Sequence, residues 1–456
     1  MIPVKAAEPR IGPYLTLTQP KDHILNVRVR VLRGNETETV KDPINGTSVD
    51  ITKTMAFDPM KTLAVIWPLL PDTSSAAIDR QGVTGTLTLD NAVASAEFKV
   101  LKNYQGGVEY LRFDAQPPAG GDLTPKEVEL EVHFQATCSK TEFDEAAALK
   151  VGWPAAWPRD AQQWLQPQLF VEQGFDDQNR LVPYKDELVV AAVKDCLAAA
   201  GVNDVKKTSP VMAAKIITAR VWGGVQVMKP MIGLDGLSGE LSGFRLSPNT
   251  AAVGGDIGGI VVMPPNSLLE TKRGTQYDVV ALLTAMLRKA GIPARPVIGY
   301  DRASGGGASA SDKLYGSARG GNTTLRTWVE FALFDEAANT INWIPIDIVR
   351  MSKSRTRASP VNRPWRFFGT NDEFNLVIPF AFHFHPPTDV LSYGAPGFWG
   401  WFVTPQAPKS AGQSISFTAT SASKRAEDMP GRKGEEKNDK KKDDEKKDKK
   451  KKAVGY

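Results

Sequence analysis

The sequence predicts a multi-domain chain: an N-terminal antiparallel β-sandwich, an α+β domain and a disordered, charged C-terminal tail. Three observations predict it. Residues 14 to about 140 alternate apolar and polar side chains, with turn residues between the runs. From Asp186 onward the apolar period becomes that of helices. Beyond Arg425 almost nothing apolar remains to offset the entropy of ordering.

Bulk composition agrees. With 456 residues, 41% hydrophobic and 23% charged, the chain is ordinary globular protein. At ~100–200 residues per domain it holds two or three cores. The net charge of +5 belongs to the tail, where residues 424–452 carry 14 basic and 9 acidic side chains. The folded body is therefore neutral, which argues against a nucleic-acid or membrane surface on it. No run of about 18 apolar residues predicts a membrane helix. Met1 to Pro9 has no apolar h-region, so the compartment is left open.

The expected domains are an arm at 1–13, the sandwich at 14–145 and a Trp/Pro-rich connector at 146–175. An α+β domain at 176–390, an aromatic extension at 391–423 and the tail at 424–456 follow. In the first of these folded regions, Tyr14–Thr18, Ile24–Leu32, Gly85–Asp90, Ala96–Leu101 and Val128–Phe134 put apolar residues at every second position. Asn45-Gly46, Pro71-Asp72, Gly106-Gly107 and Pro117-Pro118 supply turns. His133 lies out of phase with Val132 and Phe134 and is expected to face solvent. The connector carries Trp153, Trp157 and Trp164. Helices are predicted over Asp186–Ala200, stopped by Gly201, and over Pro210–Trp222. Gly254-Gly-Asp-Ile-Gly-Gly259 has neither Walker spacing nor a GxGxxG after a strand, so a phosphate loop is unsupported.

Gly274–Tyr300 is the best-specified stretch. Thr275 and Asp278 make a variant capping box. Val279, Leu283, Met286, Leu287 and Ala290 form one apolar stripe that Val280 and Leu282 widen, which predicts a buried helix. Gly291 and Pro293 end it. Strands follow at Arg295–Tyr300, Thr327–Phe334 and Ile341–Asp347, the last two joined by a turn at Asp335–Thr340.

The run from Asp278 to Tyr300, followed by Trp328-Val-Glu330, Trp343-Ile-Pro-Ile-Asp347 and Phe368-Gly-Thr-Asn-Asp372, resembles the core of bacterial two-domain transglutaminase-like proteins. That resemblance implies a papain-like fold and a Cys-His-Asp triad for acyl transfer or peptide hydrolysis. It also implies where the triad belongs, and there the chain departs from it. The cysteine's position is Gln276, the histidine's is Arg326, and only the carboxylate survives, as Asp347. An amide is no nucleophile, and a guanidinium with a pKa above ~12 is no base. Residues 134–382 contain no histidine that a shifted alignment could supply.

The chain is therefore expected to be a catalytically inactive relative with a binding, scaffold or structural role. Gln276, Arg326 and Asp347 are expected to form a hydrogen-bonded trio with Arg326 as the bridge. The second reading is a surviving cleft of Gln276, Arg326, Trp328 and Asp347 that binds a protein or peptide, Arg326 reading an anionic group. The rival class is an enzyme, either a cysteine-independent hydrolase or acyltransferase of the same superfamily or a metal enzyme on His383 and His385. Those two rings share a face, but no third ligand is visible nearby, and they are expected on the solvent side of a strand. No cofactor is expected. Gly397–Phe402 is read as an aromatic plug rather than a sugar or peptide platform. Lysines of the tail, diluted by Asp443, Asp444, Glu445 and Asp448, suit solubility first and an acidic partner or anionic surface second. Cys138 and Cys196 read as buried reduced thiols.

Overall fold

A computed structural model of the chain describes residues 13–32, 35–41, 48–104, 108–167, 186–228, 262–302, 312–313, 325–354, 358–384, 399–404 and 412–421. The tail, the segment around Gly254 and His385 lie outside the described residues. The N-terminal region forms strands β1 (Leu15–Leu32), β2 (Asn35–Lys41), β3 (Ser48–Thr54), β4 (Thr62–Leu69) and β5 (Ala76–Leu89). It continues with β6 (Ala92–Ser95), β7 (Lys99–Leu101), β8 (Glu109–Ala115) and β9 (Glu127–Phe143). Helices α1 (Glu145–Ala148), α2 (Arg159–Gln162), α3 (Glu187–Ala199) and α4 (Pro210–Gly224) come next. The short strand β10 (Gln226–Val227) precedes α5 (Pro265–Thr271), β11 (Arg273–Gly274) and α6 (Gln276–Lys289). The chain then runs through β12 (Ala294–Asp301), β13 (Asp312–Lys313), β14 (Leu325–Asp335), β15 (Thr340–Ile346), α7 (Ile348–Ser354) and β16 (Val377–Ala381). Strands β17 (Gly400–Thr404) and β18 (Gly412–Ser421) complete it.

Alternation explains the N-terminal strands. In β1, Val27, Val29 and Val31 are buried while Arg28 and Arg30 between them are exposed. The two runs expected at 14–18 and 24–32 are one strand, interrupted by a bulge where Gln19 takes a positive φ of 48°. The strand expected at Ala96–Leu101 shortens to Lys99–Leu101, because Ser95 turns back and donates its hydroxyl to the Glu97 carbonyl. His133 stands on the outer face of β9 with Glu129 and Glu131, as expected, and is partly covered there; its Nδ1 lies 2.5 Å from Asn26 Oδ1 on the neighbouring strand.

Several antiparallel sheets result. One has the order β13-β18-β1-β9-β5-β6, another β17-β4-β8-β7. The C-terminal strands thus return to the N-terminal ones. Phe417 pairs with Val27, and Trp401 pairs with Val65. Trp399 and Trp401 are fully buried, and Trp401 meets Phe57 edge-on at 5.9 Å. The aromatic run expected to be a plug is in part an edge strand.

The third large sheet, β15-β14-β12-β16, carries the α+β domain, with α6 buried along nearly its whole length beside it. Both halves of the chain are pinned together by charge. Arg295 on β12 grips Glu330 on β14 through Nε and Nη2 at 2.9 and 2.7 Å. The Ser74 hydroxyl and N–H both donate to the other oxygen of Glu330. Trp164 of the connector packs edge-on against Trp343 and Phe382, covering that pair. On α4, fully buried Lys215 donates to the Arg363 carbonyl at 2.7 Å and to Glu145. Burial lowers its ammonium, against the pull of Glu145.

Candidate functional site

The site is built at the start of α6. The Thr275 hydroxyl accepts from the Asp278 N–H, and the Asp278 carboxylate accepts from the Thr275 N–H at 2.6 Å, which is the predicted capping box. The other oxygen of Asp278 accepts the Met263 N–H, also at 2.6 Å. Burial pushes the Asp278 carboxyl up to about 6 in spite of these donors. Capping fixes Gln276 as the first helical residue, only 8% exposed.

Gln276 faces β14. Its side-chain N–H donates to the Leu325 carbonyl at 3.2 Å, and its own carbonyl accepts from Thr327 Oγ1 at 3.5 Å. Between those two residues stands Arg326, 5% exposed, opposite Gly299 on β12. Gly299 has to be glycine, since a Cβ there would come within 2.9 Å of Val377 and 3.1 Å of Trp328. Close approach of β16 and of the indole follows from that missing side chain.

Arg326 turns away from Gln276 toward carboxylates. Its Nε donates to Asp347 Oδ2 at 2.7 Å, with Nη2 at 2.6 Å from the same oxygen. Nη1 donates to Glu373 Oε2 at 2.8 Å and lies 3.7 Å from Asp301 Oδ2. Arg350 completes the group, 3.3 Å from Asp301 and 3.2 Å from Glu373, while its backbone N–H reaches Asp347 Oδ1 at 3.0 Å. Asn371 Nδ2 donates weakly to Asp347 at 3.4 Å. Burial alone would lower the Arg326 guanidinium, but Asp347, Asp301 and Glu373 together raise it above its ordinary value. Asp347 is fully buried and sits just past β15, at the entry to α7, rather than within a strand.

The expected trio is thus a pair with the amide beside it: Arg326 bridges to Asp347 but not to Gln276, whose amide takes the carbonyl one residue earlier. Trp328 is fully buried against Phe374, ring centres 4.9 Å apart, and Phe374 also lies 5.3 Å from the Arg326 guanidinium. Asp301, Arg350, Asn371 and Glu373 were missed from sequence. Asn371 sits within the recognised Phe368–Asp372 motif and Glu373 next to it, the one signal available. Two cavities lined by described residues lie away from this cluster. One of about 290 Å³ is lined by Tyr14, Trp153 and Asp335, and one of about 240 Å³ by Arg220, Lys272 and Met286.

His383 is not on a solvent face. Strand β16 is buried at every position and ends at Ala381, and Phe382, His383 and Phe384 beyond it are buried as well. The ring lies 5.4 Å from Trp164, its Nδ1 has no hydrogen-bond partner, and burial pushes it down to about 3. Among the described residues no three His, Cys, Asp or Glu side chains are grouped to hold a metal ion. Cys138 and Cys196 are free thiols; burial pushes both up, Cys196 to about 11.

This arrangement holds charge and offers no nucleophile or base at the positions of the implied triad. Among solved structures, a candidate cysteine protease from Cytophaga hutchinsonii is 11% identical, with 90% of this chain and 93% of that one covered and a TM-score of 0.46. The periplasmic domain of TgpA from Pseudomonas aeruginosa is 11% identical, with 66% and 95% covered and a TM-score of 0.25. Red sea bream transglutaminase is 15% identical, with 58% and 45% covered and a TM-score of 0.22. No curated protein matches the chain. The family model of the transglutaminase-like superfamily matches residues 260–348, the segment holding α6, β12, β14, β15 and Asp347. Residues 260–348 are therefore a transglutaminase-like superfamily domain.

Proposed function

We propose that the chain is a catalytically inactive transglutaminase-like protein with a binding, scaffold or structural role. The observation that carries this reading is the ion pair between Arg326 and Asp347. A triad needs at that place a group that takes and returns a proton near neutral pH. The guanidinium there is raised above its ordinary range by three carboxylates and keeps its proton throughout. Gln276 supplies an amide where a thiolate would attack. Neither free cysteine substitutes, being buried and held as a thiol.

The sheets holding β1 and β4 are proposed to pack as the β-sandwich expected from sequence. Support comes from one internal cavity lined jointly by Trp67, Leu69 and Leu111 of one sheet and by Ile78, Val83 and Val132 of the other. The protein's partner is proposed to be another protein or a peptide.

Purified protein should incorporate no amine, deamidate no glutamine and cleave no peptide, with or without iodoacetamide. Turnover that disappears when Cys138 or Cys196 is alkylated would overturn the reading.

A further inference from the structure

Away from the Arg326 cluster, residues of α4, α5 and α6 line the cavity of about 240 Å³ that includes Arg220, Lys272 and Met286. Its floor is apolar. Val221 of α4 and Leu282 and Met286 of α6 are buried, and Leu269 of α5 is half-buried beside them. Leu282 and Met286 are one turn apart and so share a face of α6. Clefts between helices are common ligand sites, and this one falls just under the usual ~300–1,000 Å³. Its size suits a small molecule.

Charge around the cavity is one-sided. Arg220 and Lys272 are both exposed, and no carboxylate lines the space they border. Among the described residues neither side chain has a carboxylate partner, whereas Arg295 and Arg326 each have one within 2.7 Å. The Cys196 thiol of α3 feels Arg220 but is held up to about 11 by burial, so it does not neutralise the guanidinium.

Two features of the backbone bear on the space. Helix α4 ends on Gly223 and Gly224, neither with a positive φ, so no turn requires them. A Cβ at Gly223 would meet nothing within 4 Å beyond its own helix, and one at Gly224 would meet only Arg220 Nη1, at 3.9 Å. What the two glycines supply is volume. Lys272 is the converse. It closes α5 in the left-handed conformation, with φ 55° and ψ 17°, its N–H on the Leu268 carbonyl and its carbonyl accepting the Gln226 N–H. Glycine is the residue suited to such a cap, and a lysine there is strained. An ammonium kept against the preference of its own backbone points to a use for it.

We propose that this cavity binds a small amphipathic carboxylate, with its aliphatic tail on Val221, Leu282 and Met286 and its carboxylate held by Arg220 and Lys272. The tail leaves water for an apolar floor, and the carboxylate meets two cations that have no carboxylate of their own. This site is independent of whether the Arg326–Asp347 pair is catalytically dead.

The test is isothermal titration calorimetry of the full chain with octanoate at low ionic strength, where the charge contacts are least screened. One octanoate should bind per chain. Octanol lacks the charge, while acetate and inorganic phosphate lack the tail, and each should bind at least about tenfold more weakly. Arg220→Gln and Lys272→Gly should each weaken octanoate about tenfold. Lys272→Gly separates binding from folding, because glycine relieves the cap: its thermal midpoint should match or exceed the parent's while its affinity falls. Gly224→Leu keeps both cations and fills space beside Arg220, so octanoate should no longer bind. A parent that binds no octanoate overturns the proposal. So does an affinity unchanged in both charge variants, or octanol or phosphate bound as tightly as octanoate. Should Gly224→Leu fail to fold, NMR contacts between bound octanoate and the Met286 methyl group decide the location instead. Their presence supports the site, and octanoate bound without them overturns it.

Discussion

Asp347 Oδ2 accepts the Nε–H of Arg326 at 2.7 Å and lies 2.6 Å from its Nη2, with the carboxylate fully buried and the guanidinium nearly so. Two desolvated charges are tolerable only while each has its partner. At the positions where the resemblance implies an imidazole held by an orienting carboxylate, the chain has a fixed ion pair.

Breaking that pair should be costly. Arg326→Leu leaves Asp347, Glu373 and Asp301 with one cation fewer, and unpaired buried charge typically costs about 3–5 kcal/mol. Adding Asp347→Asn to it removes the stranded charge. The double variant should then be more stable than the sum of the two singles by about 0.5–3 kcal/mol, the range for directly coupled neighbours. Urea unfolding of the four proteins measures the cycle. Additive losses would mean that the pair carries no coupling.

Asp278 has a different vulnerability. Its two oxygens each accept a backbone N–H, from Met263 and from Thr275. Asparagine keeps one acceptor and turns the other atom into a donor facing an N–H. Asp278→Asn should therefore lose about 1–3 kcal/mol despite its near-identical shape. Asp278→Asn unfolding at the same urea concentration as the parent would show that the second bond contributes nothing.

How far the sequence could be read depends on the range of the forces involved. Helix α6 with its cap, and the strands around Val297, Trp328 and Ile344, were legible because local period and local hydrogen bonds define them. The Arg326 cluster was legible only in part. Asp347 came from a motif, but Asp301 and Glu373 look like any surface acid until β12 and the segment 371–376 bring them to the guanidinium. Return of β17 and β18 to the N-terminal sheets was illegible for the same reason, since strand pairing across hundreds of residues leaves no local mark. His383 misled because a solvent side was assumed for this segment, whereas β16 is buried on both faces and Trp164 lies against the ring beyond its end.

That ring gives a third prediction. His383 is folded neutral with a ring held down to about 3, below the unfolded value near 6.5. A lowered folded value means that the unfolded chain binds the extra proton first, so its contribution is complete above pH 6.5 and declines as pH falls toward 3. His383→Phe keeps an aromatic surface on Trp164 and removes the partnerless Nδ1. The variant should match or exceed the parent's stability at pH 7. It should also lose less on acidification, by up to ~1.4 kcal/mol per pH unit. Thermal melts across pH 4–7 compare them, and parallel curves would exclude a titrating buried ring.

Rebuilding the triad tests the residue assignments themselves. Gln276 and Arg326 are neighbours through the backbone, because the Gln276 side chain bonds the Leu325 carbonyl and its own carbonyl accepts from Thr327. Gln276→Cys places a thiol at a helix N-terminus, which lowers its pKa. Adding Arg326→His puts an imidazole among Asp347, Asp301 and Glu373, three carboxylates that favour its protonated form. That imidazolium stabilises the thiolate but is a poor base, so faster alkylation without turnover is the expected outcome. The double variant's alkylation rate should rise in two steps with pH, one for each group, and the single variant's in one. Adding Glu373→Gln removes one carboxylate and should move the imidazole step to lower pH. Identical profiles for the single and double variants would mean that positions 276 and 326 do not communicate, and the assignment of both to the implied triad would fail.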